Sequence, residues 1–500
     1  MSSIKKLAGQ TVWYGASTIF SRLLNVLLTP YLTYQFKGTT EFGKMSLVYS
    51  MIPFLYTLTM FGFETAYFRY IQKKEHENDV YNTILTSLFI STTIITTITI
   101  LFRQQIANFI GVGDHPEYII IGALIIAFDT ISTIPFAKLR HEGKPRKYAF
   151  IRVAGILINI AITFFFLSLF PSIYKKHPDS ILLFLYSAGF GVGYVLIGNL
   201  AQTLFQFVVL LKELSLFKWE LNKKLWKEIV IYSLPLTIAG FGGIINETFD
   251  RVMLEKWLPL SKDAATYQVG VYSACYKLSI LISLFIQAFR MGAEPFFFKQ
   301  SETDGAPKVY ARVMKFFVIV ICVMFLVAAL YVNIWKVIII RDPKMWEGLK
   351  IVPILLFANM FLGIYYNLSI WYRLSHKTTA GAYITLTGAA ITLIINFLFI
   401  PHFGYMASAW ATFLCYGSMM VISYQWGQKA YRIPYATKKL VAYMVIVALV
   451  YFIHHFLISL WANNWFSLAL ATILTSAFVL FVIRIERKEF QKLPYIGKWV

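Results

Sequence analysis

Apolar runs of about 20 residues recur along the chain, each set off from the next by a few charged or turn-forming positions. A run of that length makes a helix long enough to cross the roughly 30 Å hydrocarbon core of a bilayer. The pattern predicts helices near 11–35, 45–68, 81–102, 118–137, 148–170 and 181–211. A further set follows near 229–254, 267–292, 313–332, 349–372, 380–400 and 405–426, with two more near 440–460 and 465–484. These are spans 1 to 14 in chain order, and the expected fold class is an all-α polytopic membrane protein of about 14 transmembrane helices. The opening MSSIKKLAGQ leads straight into span 1 with no small-residue cleavage site, so span 1 reads as retained rather than as a signal peptide.

Composition agrees: 58% of residues are hydrophobic and 14% charged, against roughly 25% charged in a soluble domain. The formal net charge of +22 invites a nucleic-acid partner, but the positions of the basic residues give it another meaning. They gather in the segments Arg69 to Lys74, Lys138 to Lys147, Lys212 to Lys227, Lys299 to Lys315, Lys429 to Lys439 and the tail after Arg484. Roughly 31 of the 46 Lys and Arg fall on that side of the predicted spans and roughly 11 on the other. The alternation predicts cytoplasmic N and C termini in the cell inner (plasma) membrane, and no nucleic-acid partner. The other loops are short, the longest near 333–348, so no sizeable extramembrane domain is expected. Cys275, Cys322 and Cys415 each lie in an apolar run without metal-ligand spacing, so no metal site or disulfide is indicated.

The ends of spans 2 and 8 match. Gly62-Phe63-Glu64-Thr65-Ala66-Tyr67-Phe68-Arg69 and Gly292-Ala293-Glu294-Pro295-Phe296-Phe297-Phe298-Lys299 share the pattern G-x-E-x-x-aromatic-Phe-basic. Their starts also echo each other, Phe42-Gly43-Lys44-Met45-Ser46 against Val269-Gly270-Val271-Tyr272-Ser273, and Arg140 to Lys144 mirrors Arg373 to Lys377. Six spans per half is an even number, so the halves should share one orientation, related by an axis along the membrane normal. The expected organisation is a six-helix bundle over 1–211, a second over 229–426, an additional pair of helices over 440–484 and a cytoplasmic tail over 485–500.

Across spans 11 and 12 the chain reads Asn396-Phe397-Leu398-Phe399-Ile400-Pro401-His402-Phe403-Gly404-Tyr405-Met406-Ala407-Ser408-Ala409-Trp410-Ala411-Thr412. That stretch resembles the N-x3-[IL]-P-x2-G-x2-[AG]-[AS]-[AG]-x-A-T motif of polysaccharide-biosynthesis, oligosaccharide-lipid flippases. These belong to the multidrug/oligosaccharidyl-lipid/polysaccharide exporter superfamily. Ser21-Arg22-Leu23-Leu24-Asn25, Pro30-Tyr31-Leu32 and Asp250-Arg251-Val252-Met253-Leu254 look similar to that family too. The resemblance implies a flippase, and a glycan polymerase as a possible partner. The motif has its own physical reading: Pro401 is expected to end a helix, Gly404 to permit a tight turn, and the small residues after it to let span 12 pack closely.

Ionisable side chains inside a bilayer are costly and tend to line cavities or pair with one another. Arg22 lies in span 1, Asp129 in span 4, Lys277 and Arg290 in span 8, and Glu247, Asp250 and Arg251 toward the end of span 7. Arg22, Lys277, Asp129 and Arg290 are the candidate substrate-binding residues, because Arg and Lys suit an anionic pyrophosphate headgroup. The competing reading pairs each basic residue with a buried acid such as Asp129, locking two helices together. Glu64, Glu294, Glu247, Asp250 and Arg251 are the candidate gate or coupling residues. Pro235 with Gly240, Gly242 and Gly243 marks span 7 as a candidate bending element or a packing face. Gly189, Gly191, Gly193 and Gly198 read as packing or kink positions, and His454 with His455 as a poor metal pair.

Span 1 carries an Arg and no acid, which fits an anionic cargo better than an organic cation. There is no G-x-x-x-x-G-K-[ST] run and no D-x-D pair, so neither ATP hydrolysis nor metal-dependent sugar transfer is expected. The sequence therefore predicts a non-enzymatic, cofactor-free flippase that moves a polyprenyl-pyrophosphate-linked oligosaccharide across the inner membrane by alternating access through a cationic central cleft, with membrane lipid as its surroundings. The alternative is a cation-coupled multidrug exporter of the same superfamily.

Overall fold

The computed structural model describes residues 20–21, 23–71, 77–176, 186–301, 305–375, 377–461 and 463–491. Among them, twelve helices are long and apolar enough to cross a membrane. They coincide with predicted spans 2 to 5 and 7 to 14. Span 1 is helical over 23–35 and span 6 over Gly193–Val209. The protein is a multi-pass, all-helical membrane protein.

Local sequence sets the helix ends. Pro145 opens span 5, its missing N–H falling where no helical partner exists. Asn222 caps span 7 by accepting from Leu225 N at 3.2 Å, and Asn463 caps span 14 by accepting from Trp465 N at 2.8 Å. Spans 11 and 12 run over Thr378–Phe403 and Tyr405–Ala430. Pro401 does not end span 11; the helix continues to Phe403, and Gly404 makes the turn at φ +56°. A proline in the last turn removes one backbone bond, a loss too small to unwind a helix packed on its neighbours.

The chain forms two compact units, Met1–Ser273 with Thr379–Ala411, and Ala274–Thr378 with Thr412–Val500. In the first, span 6 packs along spans 4 and 5, where Gly155 and Gly198 admit the side chains of Gln206 and Asn159. Span 7 lies along span 2, with Phe54 against Phe241 and Phe249. Span 11 is bound to span 7 by Asn246, which donates to Thr385 O at 3.3 Å and accepts from Thr392 at 3.2 Å. Ser408 donates to Asn396 at 2.8 Å, and both are fully buried beside Ala409 and Ala411. The motif of spans 11 and 12 is scaffold.

In the second unit, span 9 (Ala306–Leu330) is central, packed against span 10 and against spans 13 and 14. Glu486, just past span 14, lies 2.7 Å from Lys315 of span 9 and 2.8 Å from Lys439 at the start of span 13, and accepts from Tyr443 at 2.8 Å. Spans 13 and 14 otherwise expose most of their apolar surface, as helices facing lipid do.

Several spans are irregular. Span 2 stops at Met60 and resumes at Phe63, because Phe61 (φ +48°) and Gly62 (φ +69°) are both left-handed. Phe61 is the sole non-glycine residue with positive φ among those described, a costly conformation that its packing must hold in place. Span 8 tightens to a 3₁₀ turn over Lys277–Ser279, between Lys262–Tyr276 and Ile280–Gln300. Span 5 carries a π-helical turn, Phe165–Leu169, before its last helical stretch Phe170–Lys176, and the Ser168 hydroxyl of that turn meets Tyr31 at 2.7 Å and Gln35 at 2.6 Å. The two G-x-E motifs differ in backbone: Gly62 breaks span 2, whereas Gly292 lies within the Ile280–Gln300 helix.

Candidate functional site

A polar layer lies inside the first unit, toward the end carrying Arg69 and Arg140. Span 4 brings Asp129, Thr130 and Thr133 to one side. Thr130 meets Thr59 at 2.9 Å and Thr133 meets Tyr56 at 3.1 Å, both partners on span 2 just before its break. Ser91 of span 3 donates to Thr59 O at 3.0 Å. Gly62, in the break, faces Ser233 of span 7, whose hydroxyl is buried without a hydrogen-bond partner among the described residues. Asp129 is partly buried, and the charges acting on it are Arg152 of span 5 and Glu64.

The basic side chains of this end rest on aromatic rings. Arg152 lies 4.2 Å from the Phe136 ring centre, Arg69 4.2 Å from Tyr232, Lys138 4.4 Å from Tyr81 and Arg140 4.8 Å from Phe68. In the second unit, Arg290 lies 4.0 Å from the Tyr366 ring centre. A ring face holds a cation by its quadrupole.

The candidate residues divide as follows. Arg22 lies outside the described residues. Lys277 sits at the 3₁₀ turn of span 8, partly buried. Glu64 forms an ion pair with Arg140. Glu294 lies in the Ile280–Gln300 helix, its side chain outside the described set. Glu247 is exposed at the end of span 7, its carbonyl accepting from Arg251 at 2.8 Å. Asp250 is buried between Arg251, at 3.0 Å, and the Tyr272 hydroxyl, which donates to it. Arg152 was not among the candidates. Its signal was available, since it stands about two turns inside a helix that starts at Pro145.

A second polar group occupies the opposite end of the first unit, where Gly404 turns. A side chain at Gly43, at the start of span 2, would collide with the Thr266 carbonyl of span 8, and one at Gly270 would reach Gly43 N at 3.1 Å. Lys256 donates to Asn108 O at 3.1 Å and Lys262 to Asp114 at 3.0 Å, tying the segment between spans 7 and 8 to the loop between spans 3 and 4. Between these ties lies Glu255, buried over Gly111. Gly111, at φ +91°, is the one residue type that fits there without displacing the carboxylate.

His454 bonds to Ser467 O at 3.2 Å while His455 stacks on Tyr451, so the two histidines serve different faces. The three cysteines are buried, and no group of three His, Cys, Asp or Glu that could hold a metal occurs among the described residues.

The family model for "Polysaccharide biosynthesis protein" matches residues 7–301. No curated protein matches the chain. Among solved structures, the lipid II flippase MurJ in an inward closed conformation aligns with a TM-score of 0.72 at 14% identity, covering 95% of this chain and 99% of that one. The Vibrio cholerae MATE transporter VcmN, in a mutant form, aligns at 0.59 with 13% identity, covering 86% and 98%. An inward-facing multidrug resistance MATE family transporter of the MOP superfamily aligns at 0.57 with 12% identity, covering 85% and 95%. The chain shares their all-helical membrane fold over nearly its full length, and it belongs to the polysaccharide biosynthesis protein family.

Proposed function

We propose that the protein is a flippase that moves a polyprenyl-pyrophosphate-linked oligosaccharide across the inner membrane by alternating access. The single observation that carries this reading is the set of cations seated on aromatic faces at one end of the first unit, Arg69, Lys138 and Arg152. A pyrophosphate needs several N–H donors at once, and a cation held by a ring rather than by a carboxylate keeps donors for it. The headgroup enters from the cytoplasmic, Arg140-bearing end, and the tail stays in lipid. Arg22 and Lys277 then receive the pyrophosphate deeper in a cationic cleft, with Asp129 and Arg290 setting the local field.

Alternation needs two halves related by an axis along the membrane normal. The contact of Gly43 with Gly270, equivalent positions of the repeat, supports that relation. Glu64 and Glu294 then act at the inner end and Glu247, Asp250 and Arg251 at the outer end. The drug-exporter alternative draws on the fold shared with multidrug transporters, but it calls for an acid in span 1, which has none.

The test follows a fluorescent polyprenyl-pyrophosphate oligosaccharide in vesicles containing the purified protein, with Arg22→Ala and Lys277→Ala compared with wild type. Transport by wild type that falls at least tenfold in both folded variants supports the reading. Export of a cationic dye under an ion gradient, with no lipid movement, replaces it with the drug-exporter reading.

A further inference from the structure

We propose that Glu255 is a proton-binding site that exists only while the Gly404 end of the protein is closed, so that proton uptake favours closure and proton release favours opening. The inference rests on the alternating-access reading for its consequence, and on the geometry of one carboxyl group for its substance.

Glu255 lies at the end of the Phe249–Trp257 helix, 9% exposed, and its carboxylate covers Gly111. Its hydrogen-bond partner is the Thr266 hydroxyl, 3.0 Å from each carboxylate oxygen. The same hydroxyl lies 2.9 Å from Lys262 O. Thr266 has one hydrogen to give and three acceptors within reach. With Glu255 ionised, the hydroxyl must share its one hydrogen between the carboxylate and the Lys262 carbonyl, which the Thr266 backbone N–H already serves within the helix. With Glu255 protonated, its O–H donates to Thr266 Oγ1 and Thr266 donates to Lys262 O, so both bonds are made. The extra proton adds one hydrogen bond to the arrangement.

The charges around it do not restore the balance. Lys256, its neighbour in the helix, reaches away to Asn108 O, and Lys262 is engaged by Asp114. Asp263 adds a like charge from the start of span 8. At the start of span 2, Lys44 is paired with Glu41 at 3.0 Å, and on the loop from span 3, His115 faces Glu117 at 2.8 Å. Burial is the largest influence on the carboxyl and pushes its pKa up to about 7, against an ordinary 4.5, with Thr266, Lys256 and Lys262 opposing that rise.

The elements against Glu255, the loop at Gly111 and the start of span 8 at Thr266, belong to the contact at this end, where Thr266 also meets span 2 at Gly43. Opening that contact brings water to the carboxyl and returns it to its ordinary range. A group that binds a proton more tightly when closed ties closure to proton uptake. Between pH 5 and 7 the ratio of open to closed molecules rises about tenfold per pH unit and levels off above 7.

Spin labels at Gln105→Cys and Leu260→Cys, both exposed positions of the two segments that meet here, report their separation by pulsed electron resonance; the three native cysteines are buried. In lipid nanodiscs from pH 5 to 8.5, the wild-type background should gain a longer-distance population with an upper plateau beginning near pH 7. Glu255→Gln, which keeps the shape of the protonated acid, should remain closed throughout. A wild-type distribution that does not change with pH, or a Glu255→Gln background that follows the same curve, overturns the proposal. Because the measurement uses no substrate, its failure and the failure of lipid transport in vesicles are separate results.

Discussion

Removing Glu486 should detach spans 13 and 14 from span 9 more effectively than any other single charge change in the second unit. The carboxylate is 3% exposed and receives two lysines and a tyrosine from two helices, spans 9 and 13. Lys315 is 13% exposed, so Glu486→Ala leaves an ammonium nearly out of water, which costs about 3–5 kcal/mol. Lys439 is 50% exposed, and a pair of that exposure contributes about 0–1 kcal/mol. Glu489, 4.0 Å from Lys315, recovers part of the loss. The expected costs are therefore about 3 kcal/mol for Glu486→Ala and under about 1 kcal/mol for Lys439→Ala. Lys315→Ala should fall between them, since Lys439 and Tyr443 still reach the carboxylate.

Equilibrium unfolding in mixed micelles, followed by tryptophan fluorescence, measures all three. Lys315→Met combined with Glu486→Leu should recover most of the stability, because a buried ion pair replaced by apolar groups of similar size is often neutral. The pH dependence has a definite sign. Burial alone would raise the Glu486 pKa, but Lys315, Lys439 and Tyr443 outweigh it and hold the group at about 2. A carboxylate whose folded pKa is depressed stabilises above its ordinary range and loses that effect as pH falls. The gap between wild type and Glu486→Ala should thus be full above about pH 4.5 and shrink toward pH 2. Equal costs for Lys439→Ala and Lys315→Ala, or a cost below about 1 kcal/mol for Glu486→Ala, would refute the burial argument.

Gly43→Val should force spans 2 and 8 apart at the Gly404 end, because the new side chain meets backbone at Thr266 rather than a yielding side chain; spin-label distances should show an open population at every pH. Gly62→Ala should cost about 1–2 kcal/mol, from its φ of +69° and the Ser233 carbonyl 3.3 Å from the added carbon, and micelle unfolding measures it. Arg152→Leu should lower lipid transport more than tenfold in vesicles, and Asp129→Asn in the same chain should restore folding yield without restoring transport. Retention of transport by Arg152→Leu would remove that residue from the cationic entrance.

The spans were legible because a bilayer imposes a length on every crossing helix, and a run such as 313–332 can meet that length in few other ways. The packing role of Ser408, Ala409 and Ala411 was equally open to reading, since small residues beside a turn have little to do except pack. The break of span 2 was not. Gly62 hinted at it, but a phenylalanine in the left-handed region leaves no mark in a hydropathy pattern; Phe61 is held there by tertiary contact.

Glu255 shows the same limit more sharply. In the sequence, Glu255-Lys256 looks like the solvated end of a helix, where a charge pair is ordinary. What turns it into a buried acid is Gly111, 144 positions earlier, together with the single hydrogen of Thr266. The aromatic seats of the basic residues have a similar origin, since Arg69 finds Tyr232 and Lys138 finds Tyr81 across the fold. Hydropathy fixes which segments enter the bilayer because each segment answers to lipid by itself. The chemistry of a charge inside the bilayer answers to whatever distant residue the fold places against it, and that partner becomes visible only when the helices are assembled.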